Sequence, residues 1–142
     1  DVRYFSTSGT TRKEDYPAVG LDELLDWADI LSIHCPLNGR TRNLIGRNEL
    51  DKMKRSAIII NVARGGIIDE QALAEALDAD KIRGAALDVF TSEPINPDSP
   101  LLKIGDPCKL LASPHNAWST VEAIDRLIGC VANNIREYLN NL

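Results

Sequence analysis

Residues 57–66 read Ala-Ile-Ile-Ile-Asn-Val-Ala-Arg-Gly-Gly, and this stretch decides the fold class. From Ala57 to Val62 the run is apolar nearly throughout, Asn61 being the exception. A strand with one wet face alternates apolar and polar residues, whereas a β-branched run of this kind reads as a strand covered on both faces, as in a parallel sheet. Gly65 and Gly66 then break the run. Asp69 stands where a helix N-cap belongs, and Glu70 to Ala79 carries Ala72, Leu73, Ala76 and Leu77 at helical spacing. The stretch is strand, turn, helix.

The same alternation extends both ways. Upstream, Val2–Phe5 reads as a strand and Ser6–Tyr16 as a polar loop. Leu21–Ala28 reads as a helix with Leu24, Leu25 and Ala28 on one face, Ile30–His34 as a strand and Asn48–Lys54 as a short helix. Downstream, Gly84–Phe90 and Lys109–Ala112 read as strands either side of a loop holding Pro94, Pro97 and Pro100. Ser119-Thr120-Val121-Glu122 has the form of a capping box with Ser119 as the cap. The helix after it carries Ile124, Leu127, Ile128, Val131, Ile135 and Leu139 as an apolar stripe. Repeated βαβ units predict an α/β fold, a doubly wound parallel sheet of Rossmann type with helices on both faces.

Composition narrows the function. The chain has 142 residues, 44% hydrophobic and 26% charged, with a net charge of −5. Nucleic acid and anionic membrane surfaces need a basic patch, and none is visible. No apolar run approaches the roughly 20 residues of a membrane span. Cys35, Cys108 and Cys130 are odd in number and far apart. They read as packing residues in a reducing, cytoplasmic setting. With only His34 and His115 as histidines, no metal site is expected. His34 reads as a structural residue ending a strand, and Trp27 as a partly buried helix residue.

Open parallel sheets bind ligands beyond the carboxyl ends of their strands. Cys35 and Pro36, then Ala63 and Arg64, then Asp88 and Glu93, then Ser113 to Asn116 all follow or end strands. A guanidinium, carboxylates and an imidazole therefore fall on one rim.

Three segments there carry a resemblance. Ile60-Asn61-Val62-Ala63-Arg64-Gly65-Gly66 with Ile68-Asp69-Glu70, Leu87-Asp88-Val89-Phe90 with Glu93-Pro94, and Ser113-Pro114-His115-Asn116-Ala117 resemble, in order, three signatures of the D-isomer-specific 2-hydroxyacid dehydrogenases. The family usually has Thr-Pro-His-Ile-Ala at the third. The resemblance implies Arg64, Glu93 and His115 as the catalytic set. His115 is the acid/base toward the substrate carbonyl, for which an imidazole suits neutral pH. Glu93 accepts a hydrogen bond from its other ring nitrogen, fixing the tautomer and favouring the imidazolium. Arg64 clamps the carboxylate of a 2-oxo acid with a planar fork.

For the cofactor, the resemblance implies Asp88 at the nicotinamide carboxamide and Val62 and Ala63 along the ring, with Arg64, His115 and Ala117 bordering it. Cys35 and Pro36 are implied at the adenine edge, with Thr41 nearby. Ser6 and Thr7 stand where NAD enzymes carry an acidic residue for the ribose, with Arg12 and Lys13 just beyond, so NAD and NADP both stay open. Trp118 is implied beside the substrate with Arg64 and His115. It points to the glycerate dehydrogenase (hydroxypyruvate reductase) branch, with hydroxypyruvate or glyoxylate as oxo acid and a homodimer through the dinucleotide-binding domain.

Two family features are absent from residues 1–142: a Gly-x-Gly-x-x-Gly loop, which binds pyrophosphate at a helix N-terminus, and the substrate domain. The chain is therefore read as a partial dinucleotide-binding domain from a longer polypeptide, starting at the second strand. In the strand order 3-2-1-4-5-6 the absent first strand falls between Val2–Phe5 and Ala57–Val62. Formate dehydrogenase is disfavoured because it has Gln in place of Glu93. Phosphite dehydrogenase and the nucleotide-sensing corepressors keep the three residues, so the set does not exclude them. A noncatalytic fragment is the remaining alternative.

Overall fold

The computed structural model describes residues 1–10 and 15–141. Arg12 and Lys13, expected beside a ribose phosphate, lie outside the described residues. Four parallel strands form the sheet: β1 Ile30–Ile33, β2 Ile58–Asn61, β3 Gly84–Leu87 and β4 Leu110–Ala112, in that spatial order. Leu31, Ile59 and Ala85 stand in register, as do Ile33, Asn61 and Leu87. Helices α1 Leu21–Trp27, α2 Arg47–Leu50 and α3 Glu70–Asp78, with a 3-10 turn at Pro100–Lys103, touch one another in series and form one layer. That layer covers the sheet face bearing Leu31, Ile33, Ile59, Asn61, Ala85 and Leu87, all buried.

The α/β parallel class is as expected. The helix α3 starts where Asp69 predicts it, with the Asp69 side chain accepting from Ala72 N at 3.0 Å. It buries the expected Ala72, Leu73, Ala76 and Leu77, and Ala74 besides. The extent of cover differs from the expectation. Among the described residues the second sheet face has no helical layer: Ile30 is 63% and Leu111 71% exposed, while Ile58, Ile60 and Ala86 are half-buried. The apolar run of β2 is thus sealed on one side only.

Strand order corrects a second expectation. Val2–Phe5 forms no strand of this sheet; Tyr4 alone makes an isolated parallel bridge with Ala18, through Tyr4 N to Pro17 O and Val19 N to Tyr4 O. The strand at Ile30–Ile33 pairs directly with β2, so both edges of β2 are filled, and the open edge on the chain's N-terminal side is that of β1. Counting strands along the chain had made Ile30–His34 the third. The Tyr4–Ala18 bridge adds a position before it, and a single bridge leaves no periodicity to read.

The last helix, α4 Val121–Asn140, is capped by Thr120, whose hydroxyl accepts from Ala123 N at 3.2 Å. The cap is one residue later than the capping-box reading, because the Ser119 hydroxyl donates instead to Asn116 O at 2.7 Å. None of its residues is buried. Cys108 and Cys130 are exposed, against the packing role expected of them, and Cys35 alone packs against the core. Trp27 also packs there, with Arg3 over its ring at 4.5 Å.

Candidate active site

The carboxyl ends of β2, β3 and β4 are stitched to each other. Asp88 N donates to Asn61 O at 3.0 Å, and Ser113 N donates to Leu87 O at 2.9 Å. Each bond carries the ladder one step past the last strand residue, so the loops leave from a common rim. At the first of these, Asn61 is 2% exposed and turns its amide along the chain. Its Oδ1 accepts from Ala63 N at 3.0 Å and its Nδ2 donates to Arg64 O at 2.9 Å. This bracket closes the turn that presents Arg64, whose guanidinium is exposed and donates to Ala63 O at 2.7 Å.

Gly65 follows because nothing larger fits. A Cβ there would lie 1.8 Å from Phe90 O and 2.7 Å from Thr91 N. The Arg64 turn therefore rests backbone-to-backbone on the loop that leaves β3. That loop is held twice. Phe90 N donates to Glu93 Oε1 at 3.0 Å, and Thr91 N donates to Glu70 Oε1, in the first turn of α3, at 2.6 Å.

Glu93 Oε2 meets His115 Nδ1 at 2.6 Å. The hydrogen bond with His115, followed by that from Phe90 N, holds the Glu93 carboxyl below its ordinary value. An ionised carboxylate on Nδ1 fixes that nitrogen as the donor and leaves Nε2 as the acceptor of the neutral ring. His115 has φ +54, a left-handed conformation that L residues adopt rarely. What sustains it is Asp88, which is 3% exposed. Its Oδ1 accepts from Ser113 Oγ at 2.6 Å and Asn116 N at 2.9 Å, and its Oδ2 from Ala117 N at 2.9 Å. Burial pushes this carboxyl up, but those three hydrogen bonds and the neighbouring His115 outweigh burial and hold it below its ordinary value.

The profile for the D-isomer specific 2-hydroxyacid dehydrogenase NAD binding domain matches residues 1–117. The chain belongs to the D-isomer specific 2-hydroxyacid dehydrogenases. Over 125 residues it is 45% identical to the glyoxylate/hydroxypyruvate reductase B of Pectobacterium carotovorum, covering 82% of this chain and 38% of that protein. An acyclic imino acid reductase solved with NADPH and D-Arg superposes with a TM-score of 0.85 at 33% identity, over 99% of this chain and 43% of that one. A D-isomer specific 2-hydroxyacid dehydrogenase of Lactobacillus delbrueckii ssp. bulgaricus, solved with NAD, gives 0.83 at 28% identity, over 93% and 44%. The chain thus spans about two fifths of the length of these relatives.

Of the positions expected at this dehydrogenase-family site, Glu93 and His115 are in contact and Asp88 and Ala117 are bonded to each other. Val62 is 40% exposed and forms, with Ala63, an apolar ledge at the rim. Trp118 is 58% exposed, and its indole Nε1 donates to His115 O at 3.0 Å. Thr41 is fully buried. Its hydroxyl donates to Pro36 O at 2.6 Å and accepts from Asn38 N at 2.8 Å. Those bonds shape the loop after Cys35 and Pro36. Ser6 and Thr7 lie in a turn, with the Ser6 hydroxyl 2.9 Å from Ser8 Oγ and donating to Thr10 O. His34 lies outside the site; its Nε2 is 2.8 Å from Ser32 Oγ.

Sequence reasoning gave no role to Asn61, Glu70 or Ser113. One signal was available: an asparagine inside an otherwise apolar strand must find partners, since an unpaired buried amide costs about 1–3 kcal/mol. The reach of Glu70 to Thr91 spans 21 positions and left no local mark. Among the described residues, no three or more His, Cys, Asp or Glu side chains are grouped to hold a metal ion, and no helix is long and apolar enough to cross a membrane.

Proposed function

We propose that this chain supplies the cofactor-facing, acid–base part of the active site of an oxidoreductase that interconverts D-2-hydroxy acids and 2-oxo acids. The observation that carries the reading is the 2.6 Å contact between Glu93 and His115 on the rim that also presents Arg64. The residues fit a nicotinamide cofactor. Val62 is apolar and exposed with Ala63 half-buried beside it, and Asp88 Oδ2 accepts from Ala117 N alone, leaving a lone pair for a second donor. The cofactor would supply or accept the hydride. His115 Nε2 gives the proton to the carbonyl oxygen in reduction and takes it back in oxidation, Glu93 keeps Nδ1–H in place, and Arg64 binds the carboxylate and sets the carbonyl toward His115.

Cofactor contacts in this reading are Ser6, Thr7, Cys35, Pro36, Val62, Ala63, Asp88 and Ala117, with Thr41 acting through its loop. NAD and NADP both remain candidates, each being bound by a solved relative. Hydroxypyruvate and glyoxylate are the leading substrates, from Trp118 beside His115 and from the reductase named above. The chain works here as a dinucleotide-binding unit joined to further polypeptide. The open edge of β1 and the bare sheet face support that, and the same unit would form a homodimer. The three free thiols fit a cytoplasmic protein. The test is His115→Ala in the complete protein. Turnover should fall about 10²–10⁴-fold while NADH affinity holds. A variant keeping more than about half the wild-type kcat contradicts an acid role of that size.

A further inference from the structure

We infer that Ser113 is a positioning residue for His115, acting through the buried carboxylate of Asp88. The inference rests on the reading of His115 as the acid and goes beyond it. Five residues separate the end of β4 from the imidazole-bearing turn's far side, and three donors in that span converge on one carboxylate. Ser113 Oγ at 2.6 Å is the shortest, sharing Oδ1 with Asn116 N at 2.9 Å, while Ala117 N takes Oδ2. His115 sits between these anchors at φ +54.

A left-handed non-glycine residue persists only where its surroundings over-determine it. Among the described residues, the near side of this turn has one backbone tie, Ser113 N to Leu87 O, and Pro114 has no N–H to offer. The Ser113 hydroxyl is therefore the tie between the strand end and Asp88, before the chain reverses. On the far side Trp118 Nε1 holds His115 O at 3.0 Å, so the imidazole is fixed from both directions. The position of Nδ1 against Glu93 follows from that fixation. Loosening the near side leaves Glu93 in place and Asp88 with its two backbone donors, Asn116 N and Ala117 N, and lets the ring wander.

The experiment uses the complete protein with Ser113→Ala and Ser113→Thr, measured well below the unfolding midpoint of each. Steady-state kcat for hydroxypyruvate at saturating NADH, KM, and NADH Kd by fluorescence titration are read together. Loss of a hydrogen bond to a charged group corresponds to at least about tenfold. Ser113→Ala should lower kcat by about that factor, with NADH Kd within about twofold of wild type, and Ser113→Thr, which keeps the hydroxyl, should restore it. A kcat unchanged in Ser113→Ala overturns the inference. So does a weakened NADH Kd with kcat intact, which would make Asp88 and its donors a cofactor contact only. Turnover surviving His115→Ala would instead refute the acid role itself, whatever Ser113 does.

Discussion

Replacing Gly65 by alanine tests whether the Arg64 turn and the Glu93 loop form one rigid unit. The added Cβ would sit 1.8 Å from Phe90 O and 2.0 Å from Phe90 C. A carbon–oxygen contact needs about 3.3 Å, so the two backbones must part by about 1.5 Å. Every atom met is main chain, so no flexible side chain can give way. Overpacking of this kind costs about 1–3 kcal/mol, and the upper end applies here. The displaced residue is Phe90, whose N–H holds Glu93 Oε1, so the movement carries into the Glu93–His115 pair. A misplacement of about 1 Å is worth about 100-fold in rate. The expected result is a lower unfolding midpoint in urea and a kcat/KM for hydroxypyruvate down by about 100-fold. Gly66→Ala is the control. Its φ of +78 makes alanine strained, by about 1–2 kcal/mol, yet its nearest neighbour is the Arg42 side chain at 3.5 Å. It should lose stability with kcat/KM changed only a few-fold. Equal activity losses in the two variants, or a Gly65→Ala protein as stable and active as wild type, would refute the claim that close packing at Gly65 couples the loops.

Arg64→Lys should not behave as a conservative change: a point charge replaces a planar fork, and kcat/KM for the oxo acid should fall at least about tenfold, while an unchanged value would remove Arg64 from substrate binding. Glu93→Gln should lower kcat for the oxo acid by at least about tenfold, because an amide no longer fixes His115 Nδ1 as the donor; an unchanged kcat would break the assigned pairing. The pair also has a stability signature. A carboxyl held below its ordinary value of 4.5 contributes stability that is fully present above that value and is lost as pH falls through the lowered one. The midpoint difference between wild type and Glu93→Gln should therefore be largest near neutral pH and shrink on strong acidification, as thermal melts across pH would show. Finally, the isolated 142-residue chain should bind NADH and NADPH more weakly than micromolar by calorimetry and should associate in solution by light scattering, because β1 offers an unpaired edge and Ile30 and Leu111 lie exposed; micromolar binding by a monodisperse monomer would contradict this.

The fold class and the residues of the candidate site were legible along the chain because both rest on local patterns. Period and composition separate Ile58–Ile60 from the helix at Glu70, and Asp69 marks that helix start through a bond to a residue three positions on. The order Arg64, Glu93, His115 is likewise a feature of contiguous motifs. What the chain alone could not supply were relations between distant segments. Strand order is one: Tyr4 pairs with Ala18 through a single bridge, so Ile30–Ile33 lies beside β2, and the open edge moved from β2 to β1. Hydrogen-bond allegiance is another. Thr41 donates to Pro36 O five residues back and so shapes its own loop, and Asp88 gathers three donors from 25 to 29 residues away. Burial is the third, since the α4 stripe and the outer face of the sheet have the same helical or β-branched pattern whether covered or bare. Local sequence determines which conformation a segment prefers and which groups it carries. Only the assembled backbone determines which of those groups meet, because each such contact is fixed by the placement of every element between them.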